Sequence, residues 1–209
     1  GVVYGVNMGP TPNGTSFTLM DNTGGIQVIN TSSAKGYTVT EGDSVQVYGR
    51  IAQVNGMSAI SSLDTIIKLG SGRTLKNAKV VTAVAESTES DLVKFNLVKL
   101  ANPAEWPSAA MAPNTTANVT IQTASGTFTA VIDSETDIDG KPAPTGFFNL
   151  TGIGAQIDNS APYTSGYVLV PRRMADFNNL IVPVFSFTTT TSTSNENRDS
   201  TEAFTLQCA

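Results

Sequence analysis

The sequence predicts an all-β chain: two small five-stranded barrels in tandem, then a β extension at the C-terminus. Three observations predict it. Only 14% of the 209 residues are charged, and Thr, Ser, Asn and Gly are abundant, a composition of strands joined by polar turns rather than of amphipathic helices. Apolar residues recur at spacing two between Gly- and Asn-containing turns along most of the chain. Finally, Val47-Tyr48-Gly49-Arg50-Ile51-Ala52-Gln53-Val54-Asn55 aligns without gaps on Leu150-Thr151-Gly152-Ile153-Gly154-Ala155-Gln156-Ile157-Asp158. In each copy a turn glycine (Gly42, Gly146) precedes the strand, a second glycine lies inside it, and Ala-Gln follows. A glycine inside a strand weakens it unless the strand must coil sharply or admit another backbone closely, as one long strand of a small closed barrel must.

The elements follow in order. Val2 to Val6 read as a first strand, closed by Pro10, Pro12, Asn13 and Gly14. Phe17 and Leu19 lead into the turn Asp21-Asn22-Thr23-Gly24-Gly25, and Ile26 and Val28 resume the alternation. Val45, Val47, Gly49 and Ile51 form the fourth strand, and Asn55-Gly56 is a hairpin signal leading into a fifth. Leu63 to Leu69 fits either strand or a single helical turn. Gly70-Ser71-Gly72-Arg73 reads as a connector, after which the same grammar restarts at Val80. Leu92 to Leu100 is a strand, Asn102 to Pro113 a loop insertion around Trp106, and Val119 to Ile132 a hairpin turning at Ser125-Gly126. Phe147 to Ile157 and Tyr167 to Val170 are strands, and Pro171 to Phe177 reads as one helical turn with Pro171 at its first position. The expected division is a first barrel over 1–72, a second over 78–182, and an extended tail over 183–209. Five strands with one bent member per copy suggest the oligonucleotide/oligosaccharide-binding (OB) barrel, so the predicted fold is two OB-like barrels. A single sandwich whose two sheets resemble one another by chance is the competing reading.

Composition narrows the function. The net charge is −5, with 12 Lys and Arg against 17 Asp and Glu, the opposite balance from that of proteins that grip a phosphate backbone. Histidine is absent, which removes the usual general base near neutral pH and the commonest metal ligand. Cys208 is the single cysteine, so neither an intramolecular disulfide nor a cysteine-based metal cluster can form, and its own role is open. Cysteine poverty with Ser/Thr/Asn richness fits an exported bacterial chain, here in a mature or trimmed form, with no apolar run long enough to span a bilayer.

Candidate sites are few. Asp133, Glu135, Asp137 and Asp139 alternate ahead of Gly140, which fits either a calcium ion held by several oxygens or a solvated turn. An EF-hand loop starting at Glu135 fails, because Gly146 stands where a bidentate acid is required. Tyr163, Tyr167, Arg172 and Arg173 would make a ligand-binding rim by stacking and forked hydrogen bonds; alternatively the tyrosines fill the barrel end and the arginines are solvated. Tyr48 points away from the core side set by Val47, toward a ligand face. Trp106 reads as a loop anchor, and no carboxylate pair has a spacing that singles it out for acid–base work.

Residues 128–177, in particular the run Thr136 to Asp158, Ser160 to Tyr167 and Pro171 to Asp176, resemble the barrel repeats of large surface and secreted proteins of Bacteroidetes-type bacteria. Residues 1–70 follow the same module with a shorter central loop. Phe185-Ser186-Phe187, Thr188 to Thr191 and Ala203-Phe204-Thr205-Leu206 resemble the opening strands of a calcium-exchanger-type (Calx-β) domain. The resemblance implies an extracellular, non-catalytic module beside other domains of a surface protein. Two strands alone cannot bury a face, so Phe185, Phe187, Phe204 and Leu206 are the expected assembly residues, with other copies of the chain as partners. A polysaccharide-binding module, or less readily one for single-stranded nucleic acid, is the alternative.

Overall fold

A computed structural model describes residues 1–10 and 12–179. These residues are almost entirely strands and turns, as predicted. The first barrel comprises β1 (Val2–Tyr4), β2 (Thr15–Met20), β3 (Gly25–Asn30), β4 (Ser44–Val54) and β5 (Met57–Gly70). They close in the order β1-β2-β3-β5-β4; β3 and β5 pair in parallel and the other neighbours are antiparallel. Val3, Phe17, Val28, Val45 and Leu63 fill the interior. The first strand stops at Tyr4, two residues short of the sequence expectation, and Leu63 to Leu69 belongs to β5.

A short β6 (Lys79–Val80) and a 3₁₀ turn at Glu86–Thr88 lead into β7 (Leu92–Leu100), β8 (Thr116–Gln122), β9 (Thr127–Asp133), β10 (Phe148–Gln156), β11 (Tyr167–Val170) and β12 (Phe177–Asn179). The pairings β7–β8, β8–β9, β9–β11, β11–β10 and β10–β7 form a second closed circuit, again with one parallel pair, β9–β11. Its interior holds Val93, Phe95, Val119, Ile132, Phe148, Leu150 and Leu169. The two circuits therefore share one OB-like topology, strand for strand.

The repeat legible in the letters is also a repeat of register. Ile51 lies opposite Ile60, and its aligned residue Gly154 lies opposite Leu169; Gln53 faces Ser58 as Gln156 faces Tyr167. The shared glycine has the same work in both: a Cβ on Gly49 would stand 2.8 Å from Ile60, and one on Gly152 2.8 Å from Leu169. Each lets the bent fourth strand lie close against the fifth.

The fifth strand differs between the copies. In barrel one Ile66 sits opposite Val47 within the unbroken β5, whereas in barrel two the aligned Leu150 is met by Phe177 of β12. Residues 171–176 interrupt the strand, so β11 and β12 are two halves of one element. The predicted helical turn is smaller than expected: a 3₁₀ turn covers Met174–Asp176 only, Pro171 lies outside it, and Phe177 already belongs to β12. The expected tail over 183–209, with Phe185, Phe187, Phe204 and Leu206, lies outside the described residues.

Candidate functional site

The two barrels meet across a joint made by local chemistry on both sides. Tyr4 and Met20 of barrel one pack on Leu92 and Ile153 of barrel two. The turn Asn55-Gly56 reaches the loop after β10: the Asn55 carbonyl accepts from the Asp158 amide at 2.8 Å, and Gly56 lies against Gln156 so closely that a Cβ there would overlap its side-chain amide. Gly56 also has φ +92°, a second reason for glycine at that turn. The Ser58 amide donates to Glu89 at 2.8 Å.

The interruption of the fifth strand supplies the polar half of the joint. Arg172, 6% exposed, donates from Nε and Nη2 to the Asp176 carboxylate at 3.0 and 2.8 Å, and from Nη1 to Glu41 of barrel one at 2.6 Å. Glu41 also accepts from the Gly5 amide at 2.9 Å and pairs with Arg173. Such a forked guanidinium between two carboxylates fixes geometry as well as charge.

Between the barrels lies a cleft of about 270 Å³, walled by Ser16, Thr18, Gln27 and Met57 of barrel one and by Val131, Ile153, Ala155 and Val168 of barrel two. The outer face of β2–β3 and the β4–β5 turn are where OB barrels commonly take ligands. In barrel one that face is turned onto barrel two. Asp133 is the carboxylate among the residues described around the cleft; loss of hydration there raises its carboxyl above the usual range, while the Glu135 amide donating to it at 2.9 Å opposes the shift. The described residues around the cleft are apolar and neutral polar side chains with one carboxyl, whereas glycoside hydrolysis uses a pair.

The predicted site residues separate. Arg172 is not on a solvent rim; its donors are taken up by Asp176 and Glu41, and an arginine buried there needs both acids. Arg173 is half-exposed beside Glu41. Tyr167 donates its hydroxyl to Glu86 at 2.9 Å, and Tyr163 sits in the loop before β11, where its carbonyl accepts from Gln156 at 2.8 Å. Tyr48 stands on the outer side of barrel one, 47% exposed, so it shares no surface patch built with the other two from one barrel.

The four alternating acids diverge. Asp133 ends β9 and accepts from the amide two residues on, an Asx-type turn; Asp137 accepts from the Met174 amide at 2.6 Å and Asp139 from the Met111 amide at 2.8 Å. Glu135 faces the Asn114 amide at 3.4 Å. Alternation would place them on one face only while the strand continued, and the strand ends at the first of them. Among the described residues no three of the acids, histidines or cysteines converge into a group that could hold a metal ion, and Asp133 takes the turn alternative of the two readings given for Asp133, Glu135, Asp137 and Asp139.

Sequence reasoning missed the joint residues Glu41, Gln156, Asp158 and Asp176. Asp158 is the clearest, since its carboxylate accepts from the Ser160 amide at 3.1 Å and from the Ser165 amide and hydroxyl at 3.1 and 2.8 Å, which holds it below the usual carboxylate range. Its place opposite Asn55 in the repeat was the available signal.

No protein-family model and no curated protein matches the chain. Among the described residues no helix is long and apolar enough to cross a membrane.

Proposed function

We propose that the chain is a non-catalytic building module of an extracellular or cell-surface protein of the Bacteroidetes type, which assembles with other copies through its C-terminal segment. The observation that carries this reading is the joint. The β2–β3 side of barrel one is turned toward barrel two across the cleft, both interiors are filled by their own side chains, and a buried Arg172–Glu41–Asp176 cluster ties the pair together. A stiff two-barrel unit of this kind transmits position and load, and leaves its free edges and its tail for contact. The residues that would do this from the tail are Phe185, Phe187, Phe204 and Leu206 in residues 183–209, whose alternation suits a donated strand.

Sedimentation equilibrium of the chain with and without residues 180–209 tests the reading. Loss of higher-mass species on deletion supports it; identical monomers in both samples refute it. The polysaccharide alternative loses support from the separation of Tyr48 from Tyr163 and Tyr167.

A further inference from the structure

The cleft between the barrels is a slot between two sheet faces. Barrel one gives it the outer side of β2 and β3, with Ser16, Thr18 and Gln27, and barrel two the outer side of β9, β10 and β11, with Val131, Ile153 and Val170. Among the described residues that line it, none comes from β1 or β12.

Most of its polar side chains already have partners. On the barrel-one wall Gln27 Nε2 donates to Ser16 Oγ at 2.6 Å, and Thr18 Oγ1 donates to Gln27 Oε1 at 3.3 Å. Gln156, 2% exposed, donates from Nε2 to the Tyr163 and Ser165 carbonyls at 2.8 Å, and its Oε1 lies against Gly56. Asp133 is the exception. Its Oδ1 accepts from the Glu135 amide at 2.9 Å, but among the described residues Oδ2 accepts from no donor and no Lys or Arg pairs with the carboxylate. Loss of hydration raises this carboxyl above its usual range; the Glu135 amide opposes the shift and the Glu135 charge adds to it. A carboxylate drawn out of water with no cation beside it is the group to which a positively charged ligand contributes most.

We propose that the cleft binds a small organic cation, a primary ammonium group carried on one apolar ring, with the ammonium on Asp133 Oδ2 and the ring between the two sheet faces. Size selects the ring: a dry cavity of about 150 Å³ accommodates benzene, so the cleft, about 270 Å³, has room for one ring and a short arm. Shape agrees, because the space between two facing sheets is flat. Val131 and Asp133 both border the cleft from β9, and two residues along a strand put them about 7 Å apart, a distance that a two-carbon arm between ring and nitrogen spans. The ammonium brings donors to an oxygen that has none, and Val131, Ile153 and Val170 take the ring out of water. This binding is independent of the assembly proposed above.

Phenethylamine is the probe, with phenethyl alcohol and hydrocinnamate as its neutral and anionic counterparts. The full chain carries five methionines, whose isotope-labelled methyl groups give separate NMR signals. Met8 and Met57 line the cleft, whereas Met111 and Met174 pack against the barrel-two core. Phenethylamine at neutral pH should shift Met8 and Met57 saturably and leave Met111 and Met174 in place. Its Kd should lie at least about tenfold below that of phenethyl alcohol, with hydrocinnamate weaker still. Asp133→Asn keeps an oxygen for the Glu135 amide, so the turn survives, and it should erase the preference for amine over alcohol. Asp64→Asn, which removes an exposed carboxylate on β5, should leave that preference intact. No shift at Met8 and Met57, equal affinity for amine and alcohol, or a preference that survives Asp133→Asn overturns the proposal.

Discussion

Glu41→Gln is the sharpest perturbation of the joint. It keeps the shape of the side chain but removes the charge facing Arg172 at 2.6 Å and Arg173 beside it, and can turn an amide toward donors already present. Arg172 keeps its forked pair with Asp176, so the loss falls short of the roughly 3–5 kcal/mol expected when a buried charge is left wholly unpaired. Two weakened hydrogen bonds to a charged group put it at about 2–3 kcal/mol. For a cooperative unit of this size, each kcal/mol moves the melting temperature by about 2–4 °C, so a fall of about 5–10 °C is expected. Calorimetry measures it, and Trp106 fluorescence separately follows barrel two, because the indole is buried in that core and donates to Lys141 at 2.7 Å. Arg173→Gln, at a half-exposed position, should cost less than about 1 kcal/mol. A shift below 2 °C for Glu41→Gln would refute the view that this cluster ties the barrels together.

Three further outcomes follow from the same geometry. Gly154→Val should destabilise by about 1–3 kcal/mol in urea titrations, because a Cβ there would overlap the Thr88 carbonyl, whereas Gly24→Ala, with nothing within 4 Å, should be neutral. Tyr37 is pushed up to about 12 by burial and by its hydrogen bond to Asp43 at 3.0 Å. The unfolded tyrosine ionises near 10, so stability from this group is intact below that pH and is lost as pH rises toward about 12; an ultraviolet titration showing Tyr37 ionising near 10 would contradict the buried placement. Asp43 is held below its usual range chiefly by Lys68, at 2.8 Å, so it contributes stability above the ordinary carboxylate range that disappears as pH falls, and Asp43→Asn should flatten that acid limb in pH-dependent denaturation.

Much of the fold was legible because its repeat is carried by a steric necessity. Gly49 and Gly152 mark where the fourth strand closes on the fifth, and a glycine required by backbone approach survives divergence of the residues around it. The closed circuits follow from that kink. The joint was not legible, because Arg172 and Glu41 lie far apart in sequence, and Arg172-Arg173 after a proline looks like solvated surface until a partner acid is placed beside it. The acids from Asp133 to Asp139 left two readings open for the complementary reason: a period of two implies a shared face only within a strand, and β9 ends at Asp133.

The most direct test of the account is the native mass of the intact 209-residue chain across a concentration series. Successive multiples of 21.8 kDa that grow with concentration are predicted. One species of 21.8 kDa at every concentration would contradict it.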